Sequence, residues 1–323
     1  MDRRGFLSSV SLAIPASGLM GLGALGPQST SAAQAPPQQS APLQTGRLKQ
    51  GITTQALLGG DARPFEDRCK LAVALGMKSF DFANDPSWWP VMKQYGIVGS
   101  CYRLPPPPAA VAAAASTPGR RPVLPPGWEA IGHKEAMGDY LKAFHDGIDI
   151  AAANGFPNMI LLAGVRTTEV SEQQGADNTV AFCNEVKAHA EDKGVTLVLE
   201  LINSKGLVGG VGTFFDNMPW GVDVINRVNS PRVKILFDCY QAQLMEGNIV
   251  QTIRDNIQHI AHFHVAGLPG HHTPDETQEL NYHFVAQAIA DLNYQGYICH
   301  EWNPLPGKDP VSELTKAIQI LTV

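Results

Sequence analysis

After residue 47 the chain alternates short apolar runs with stretches of helical periodicity. The apolar runs are Leu48–Thr53, Lys78–Ala83, Ile97–Cys101, Asn158–Ala163, Val195–Leu201, Val233–Asp238, Ile260–Val265 and Tyr297–Glu301. Each is the length of a buried strand. Between them, helical spacing predicts helices over Pro64–Leu75, a short one ended by Gly96, then His133–Asn154, Ser171–Lys193, Trp220–Val228, Asn248–Asn256, Tyr282–Leu292 and Pro310–Leu321. Glycines at 76 and 194 supply stop signals. A strand–helix pattern of this kind specifies a parallel sheet. Eight such units in about 275 residues fit a closed (β/α)8 TIM barrel better than an open doubly wound sheet.

Two stretches break the pattern. Residues 104–127 (LPPPPAAVAAAASTPGRRPVLPPG) are low in complexity and proline-broken at both ends, and predict an insertion on the barrel face whose alanine run could form two helical turns. The segment GLVGGVG at 206–212 opens no clear helix, so it is expected as a flexible loop over the site rather than a dinucleotide fingerprint.

The first 46 residues carry no such alternation. Arg3–Arg4 followed by Gly, Phe and Leu is a twin-arginine pattern, with a mildly apolar stretch through Leu25 and a small-residue cleavage site at Ala33–Ala35. This predicts a signal peptide over 1–35, a proline-rich linker over 36–46, one barrel domain over 47–323, and export of the folded protein to the periplasm or beyond. Nothing after Ala35 reads as transmembrane, so no membrane association is expected once the signal is removed. A net charge of −6 without a long basic run argues against nucleic acid as a partner. The cysteines (69, 101, 183, 239 and 299) show no CxxC spacing and are expected as core residues.

The chemistry concentrates in the last third. The strands there end on or beside Glu200, Asp238, His264 and Glu301. Alternation along a strand puts Val198 on the face of Glu200, Leu236 on that of Asp238, His262 on that of His264 and Cys299 on that of Glu301. Active sites of such barrels gather at the C-terminal strand ends. Three carboxylates meeting there would repel one another unless a cation lay between them. Three carboxylates and one imidazole suit one divalent ion, Mg²⁺ or Mn²⁺ first, with Zn²⁺ or Co²⁺ also compatible. His262, two residues before His264, is expected to support the ligands or fill the lumen. Trp88 and Trp89, after the second strand, could wall a sugar ring or simply pack.

The segments LELINSK, FDCYQAQLMEGNIVQTIRDN, HIAHFHVAGLPGHH…DETQELNY and GYICHEWNP resemble hydroxypyruvate isomerase and its relatives in the xylose isomerase-like (sugar phosphate isomerase/epimerase) superfamily, to which the D-tagatose 3-epimerase group belongs. The resemblance is dense from about residue 130 onward and thinner over 47–103. It implies a barrel binding one divalent metal through Glu200, Asp238, His264 and Glu301. It further implies that Glu200 and Glu301 are catalytic, moving a proton between adjacent carbons of a small sugar or hydroxy-carbonyl substrate. That chemistry is physically coherent: the proton next to a carbonyl leaves through an enediolate whose charge a metal stabilises. Asn203, Lys205, Gln243 and Glu279 match the family pattern and are candidates for substrate or supporting contacts. Gln241 stands where the family often has histidine, and His271 where an arginine usually follows the "PG" pair; the missing arginine puts a carboxylate substrate in doubt. Homodimers or homotetramers are common in the family. The expected function is a metal-dependent isomerase or epimerase, with a lyase or dehydratase on a keto-sugar, or a non-catalytic sugar-binding barrel, as alternatives.

Overall fold

The structure is a computed structural model, and it describes residues 46–54, 56, 63–115, 123–205 and 212–323. The predicted signal peptide, the predicted linker but for Gly46, residues 116–122 of the predicted insertion, and all but the last residue of the 206–212 loop lie outside the described residues.

Eight parallel strands close into one barrel in sequence order. They are β1 (Lys49–Thr53), β2 (Ser79–Asp81), β3 (Val98–Tyr102), β4 (Asn158–Leu161), β5 (Thr196–Glu200), β6 (Val233–Asp238), β7 (Ile260–Val265) and β8 (Tyr297–His300). The helices are α1 (Phe65–Ala74), α2 (Trp88–Gln94), α3 (Pro108–Ala115), α4 (Asp139–Ala153) and α5 (Glu172–Lys193). After them come α6 (Met218–Val228), α7 (Cys239–Met245), α8 (Ile249–Asn256), α9 (Tyr282–Asp291) and α10 (Pro310–Leu321).

Alternation along the strands sorts the side chains. Val198 and Leu236 point inward and pack with Phe82, Cys101 and Ile160 in the lumen. Their neighbours Leu197, Leu199, Ile235 and Phe237 point outward into the helix layer, where they join Phe144, Phe182 and Val224. Burying both faces explains why these strands read as continuous apolar runs. All five cysteines are free and buried, as their scatter implied.

The predicted helix over His133–Asn154 is two pieces. A 3-10 turn at Lys134–Met137 precedes Gly138, whose φ −92°, ψ −125° interrupts the helix, and α4 starts afterwards. Helical periodicity runs through that glycine, but the backbone does not. Within 104–127, the alanine run forms α3 as the composition suggested. β2 stops at Asp81 rather than Ala83, because Phe82 turns the chain with φ 59°. Trp88 and Trp89 pack instead of walling the site. Trp88 stacks on Phe65 with ring centroids 4.4 Å apart, and the Trp89 indole donates to the Ala83 carbonyl at 2.8 Å.

Candidate active site

The parallel register sets the geometry. Asp238 lies directly opposite His264 across the β6–β7 ladder, and His264 opposite Cys299 across β7–β8. Glu200 closes β5, and Glu301 follows β8, its amide donating to the Val265 carbonyl at 3.0 Å. Glu200, Asp238, His264 and Glu301 therefore converge, each offering one ligand atom within 4.8 Å of the others. His264 Nδ1 is 3.1 Å from both Glu200 Oε1 and Glu301 Oε2.

Asp238 has two jobs. Its Oδ1 accepts the backbone N–H groups of Tyr240 (2.8 Å) and Gln241 (3.2 Å), capping α7, a helix that the apolar pattern alone did not reveal. Its Oδ2 is buried with no hydrogen-bond partner. A lone carboxylate oxygen facing two further carboxylates is costly without a cation. The orphaned oxygen and the O₃N donor set fit a divalent ion. Burial and the charges of Glu301 and Glu200 raise the Asp238 carboxyl to about 8. Burial likewise raises Glu200, with Glu301 adding to the effect. Burial would raise Glu301 too, but His264 outweighs it and holds this carboxyl below its ordinary value. For His264, burial opposes charge, yet Glu301, Asp81 and Glu200 lift it well above an ordinary imidazole. A proton on Nδ1 thus does part of what a cation would do there.

Sequence reasoning missed Asp81. This carboxylate at the end of β2 is fully buried. Its Oδ2 accepts from His262 Nε2 at 2.6 Å and from His264 Nε2 at 3.0 Å, while the Ser100 hydroxyl donates to Oδ1. Burial favours the neutral acid, but the two imidazoles hold Asp81 far below the usual carboxylate range. An ionised Asp81 can only accept, so His264 must keep a proton on Nε2; once Nδ1 gives up its own proton to an ion, its lone pair faces Glu200, Asp238 and Glu301. His262 belongs to this supporting network, in the role its position on β7 suggested. Arg103 was also missed. Its guanidinium is paired through two nitrogens with Glu129 (2.6 and 2.8 Å) and sits 5.7 Å from the Phe82 ring, whose edge-to-face partner is His264.

A cleft of about 290 Å³ opens over the cluster. Glu200 and Glu301 line it together with the polar side chains of Thr53, Gln241, His271 and Asn303, and Ala56, Ile202 and Trp302 form its apolar part. Glu301, with 28% of its side chain exposed, reaches further out than Glu200 at 9%. Asn203 stands behind Gln241, its backbone N–H donating to Gln241 Oε1 at 3.1 Å. His271 packs edge-on against Tyr240, with ring centroids 4.6 Å apart, and burial lowers its imidazole below the ordinary value. Lys205, Gln243 and Glu279 do not line the cleft; Lys205 and Glu279 are exposed and Gln243 is half-buried.

Barrel and cluster together define a (β/α)8 protein with its polar centre at the C-terminal strand ends. The chain belongs to the xylose isomerase-like TIM barrel family, whose profile matches residues 69–321. A 2-oxo-tetronate isomerase of Cupriavidus necator is 33% identical over 118 residues, covering 36% of this chain and 44% of that protein. A Danio rerio protein provisionally named hydroxypyruvate isomerase is 28% identical over 172 residues, covering 50% of this chain and 61% of the relative. Both matches span less than two thirds of the relative's length. Among solved structures, a 3-keto-D-glucoside 4-epimerase from E. coli superposes with a TM-score of 0.67 at 17% identity, covering 85% of this chain and 98% of that one, which shows the shared fold.

Proposed function

We propose that the protein is a divalent-metal-dependent isomerase or epimerase of a small sugar-like hydroxy-carbonyl compound. One observation carries the reading: Glu200, Asp238, His264 and Glu301 converge around the unpartnered Asp238 Oδ2. The names of the relatives, 2-oxo-tetronate isomerase and hydroxypyruvate isomerase, support the same reaction class.

A divalent ion held by those four residues would supply charge stabilisation to the oxygens of the hydroxy-carbonyl unit. Asp238, pinned by its cap to α7, and His264, pinned by Asp81, are fixed in orientation and serve to hold. Glu200 and Glu301 flank His264 Nδ1 at equal distance and line the cleft. One of them takes the proton from the carbon bearing the hydroxyl, leaving an enediolate. The other returns a proton to the opposite face of the same carbon in an epimerisation, or to the former carbonyl carbon in an isomerisation. In the isomerisation the hydroxyl proton also passes to the former carbonyl oxygen. The two roles exchange in the reverse reaction. No electrons leave the substrate, so no redox cofactor is required. Trp302 and Ile202 give the cleft an apolar wall beside the cluster, which strengthens the electrostatics there. The twin-arginine pattern supports export of the folded protein.

The test is deuterium exchange into candidate ketoses in D₂O with Mn²⁺-supplemented protein, read by NMR. Exchange with isomer formation is expected. Glu200→Gln should lower it at least about a hundredfold with the fold intact, since general acid–base groups contribute that much. A fully active Glu200→Gln enzyme would remove the mechanism.

A further inference from the structure

We infer that the substrate is an uncharged polyhydroxy carbonyl compound and not a 2-oxo carboxylate, although the relatives' names point to carboxylates; this rests on the isomerase reading above. Two cavities meet at Glu200 and Ile202: the 290 Å³ cleft and a second of about 230 Å³ toward β4. Among the described residues, no lysine or arginine lines either one. The charged groups that do are carboxylates: Glu301 in the first, Glu129 in the second and Glu200 in both.

The charge balance follows from these residues. Glu200, Asp238 and Glu301 bring three negative charges to the cluster, and a divalent ion offsets two of them. Arg103, whose charge is felt by Glu200 and Glu301, is spent on Glu129 through both Nε and Nη2, so that pair adds no net charge. A substrate carboxylate would enter a site already one charge negative, with no guanidinium or ammonium among the described lining residues to receive it. Like charges brought together in a partly dry cleft cost far more than in water.

What the cleft does offer suits hydroxyl groups. The Thr53 hydroxyl, the amides of Gln241 and Asn303 and the His271 imidazole are all donor–acceptor groups without fixed charge. Discrimination by repulsion is as effective as discrimination by contact.

The experiment compares kcat/KM of the Mn²⁺-loaded full-length protein for two probe sets, by deuterium exchange. Dihydroxyacetone, D-fructose and D-tagatose form the neutral set; hydroxypyruvate and 2-oxo-tetronate form the carboxylate set. The best neutral compound should exceed either carboxylate by about a hundredfold or more. Installing a cation with His271→Arg should tighten competitive inhibition by glycerate about tenfold or more, a readout of binding rather than turnover. Carboxylate turnover equal to or above that of the neutral set overturns this inference and leaves the isomerase reading standing. Absence of exchange with both sets overturns the isomerase reading, and the inference with it.

Discussion

Asp81 gives the sharpest perturbation, because it acts on the metal cluster without being one of the four converging residues. Its Oδ2 accepts the Nε2–H of His264 at 3.0 Å and of His262 at 2.6 Å. Asp81→Asn keeps the volume and removes the charge. If the amide oxygen faces His264, the tautomer survives with a weaker, uncharged hydrogen bond. If the amide nitrogen faces it, His264 must accept at Nε2 and carry its proton on Nδ1, aimed at the cation. Removing such a carboxylate behind a histidine ligand typically lowers metal affinity ten- to a hundredfold, about 1.4–2.7 kcal/mol. The assay is Mn²⁺ binding by calorimetry or by the EPR signal of free ion. It is paired with the thermal midpoint of the metal-free protein and with ¹⁵N shifts of His264, which report the tautomer directly. A purely structural Asp81 would lower the metal-free midpoint and leave the Mn²⁺ affinity of the folded fraction unchanged. Unchanged affinity together with an unchanged tautomer would refute the reasoning.

Two further expectations concern protons. With Asp238 raised to about 8 and His264 held protonated in the metal-free protein, loading an ion at pH 7 should release one proton or more, and affinity should rise with pH. Calorimetry in buffers of different ionisation enthalpy measures this, and release of no protons would contradict it. For Asp238 the folded value lies above the unfolded one, so its stabilising contribution holds at low pH and is lost as pH rises through about 8, in the metal-free form only. His300 has the opposite sign. It is fully buried between Gln50 and Trp302, and burial depresses its imidazole to about 3. The unfolded chain therefore binds a proton that the folded one refuses, and stability falls as pH drops below 6.5 toward 3. Between pH 7 and 5 the loss attributable to His300 is about 2 kcal/mol. Urea unfolding should show that drop in the parent protein and a smaller one in His300→Gln.

The barrel was legible because parallel strands buried on both faces leave continuous apolar runs, and the helices between them leave periodic ones. The converging residues were legible for a related reason: Glu200, Asp238, His264 and Glu301 each end or nearly end such a run. Asp81 sits inside the run KSFDFA, two residues before its predicted end, so nothing in the local pattern marks it as a strand-end group. Its partner His262 lies 181 residues away in the chain, a distance that local pattern does not bridge. A signal did exist. An inward-facing imidazole two residues before a ligand must find an acceptor in the lumen, and an inward-facing aspartate on another strand is the obvious one. Asp238 shows why single-role readings fall short, since one oxygen caps α7 and the other is left for an ion. Arg103 was hidden for the opposite reason: its partner Glu129 lies beyond the insertion, where sequence spacing says nothing about proximity.

The central claim is that four side chains on consecutive strands hold one divalent ion. Anomalous diffraction from crystals soaked in Mn²⁺ tests it most directly. The account predicts a single strong peak within about 2.0–2.4 Å of Glu200, Asp238, His264 Nδ1 and Glu301. Asp238 Oδ2 should be among the coordinating atoms, and His264 Nε2 should remain on Asp81. A peak centred instead between Asp81 and His262, or no peak at millimolar Mn²⁺, would contradict it.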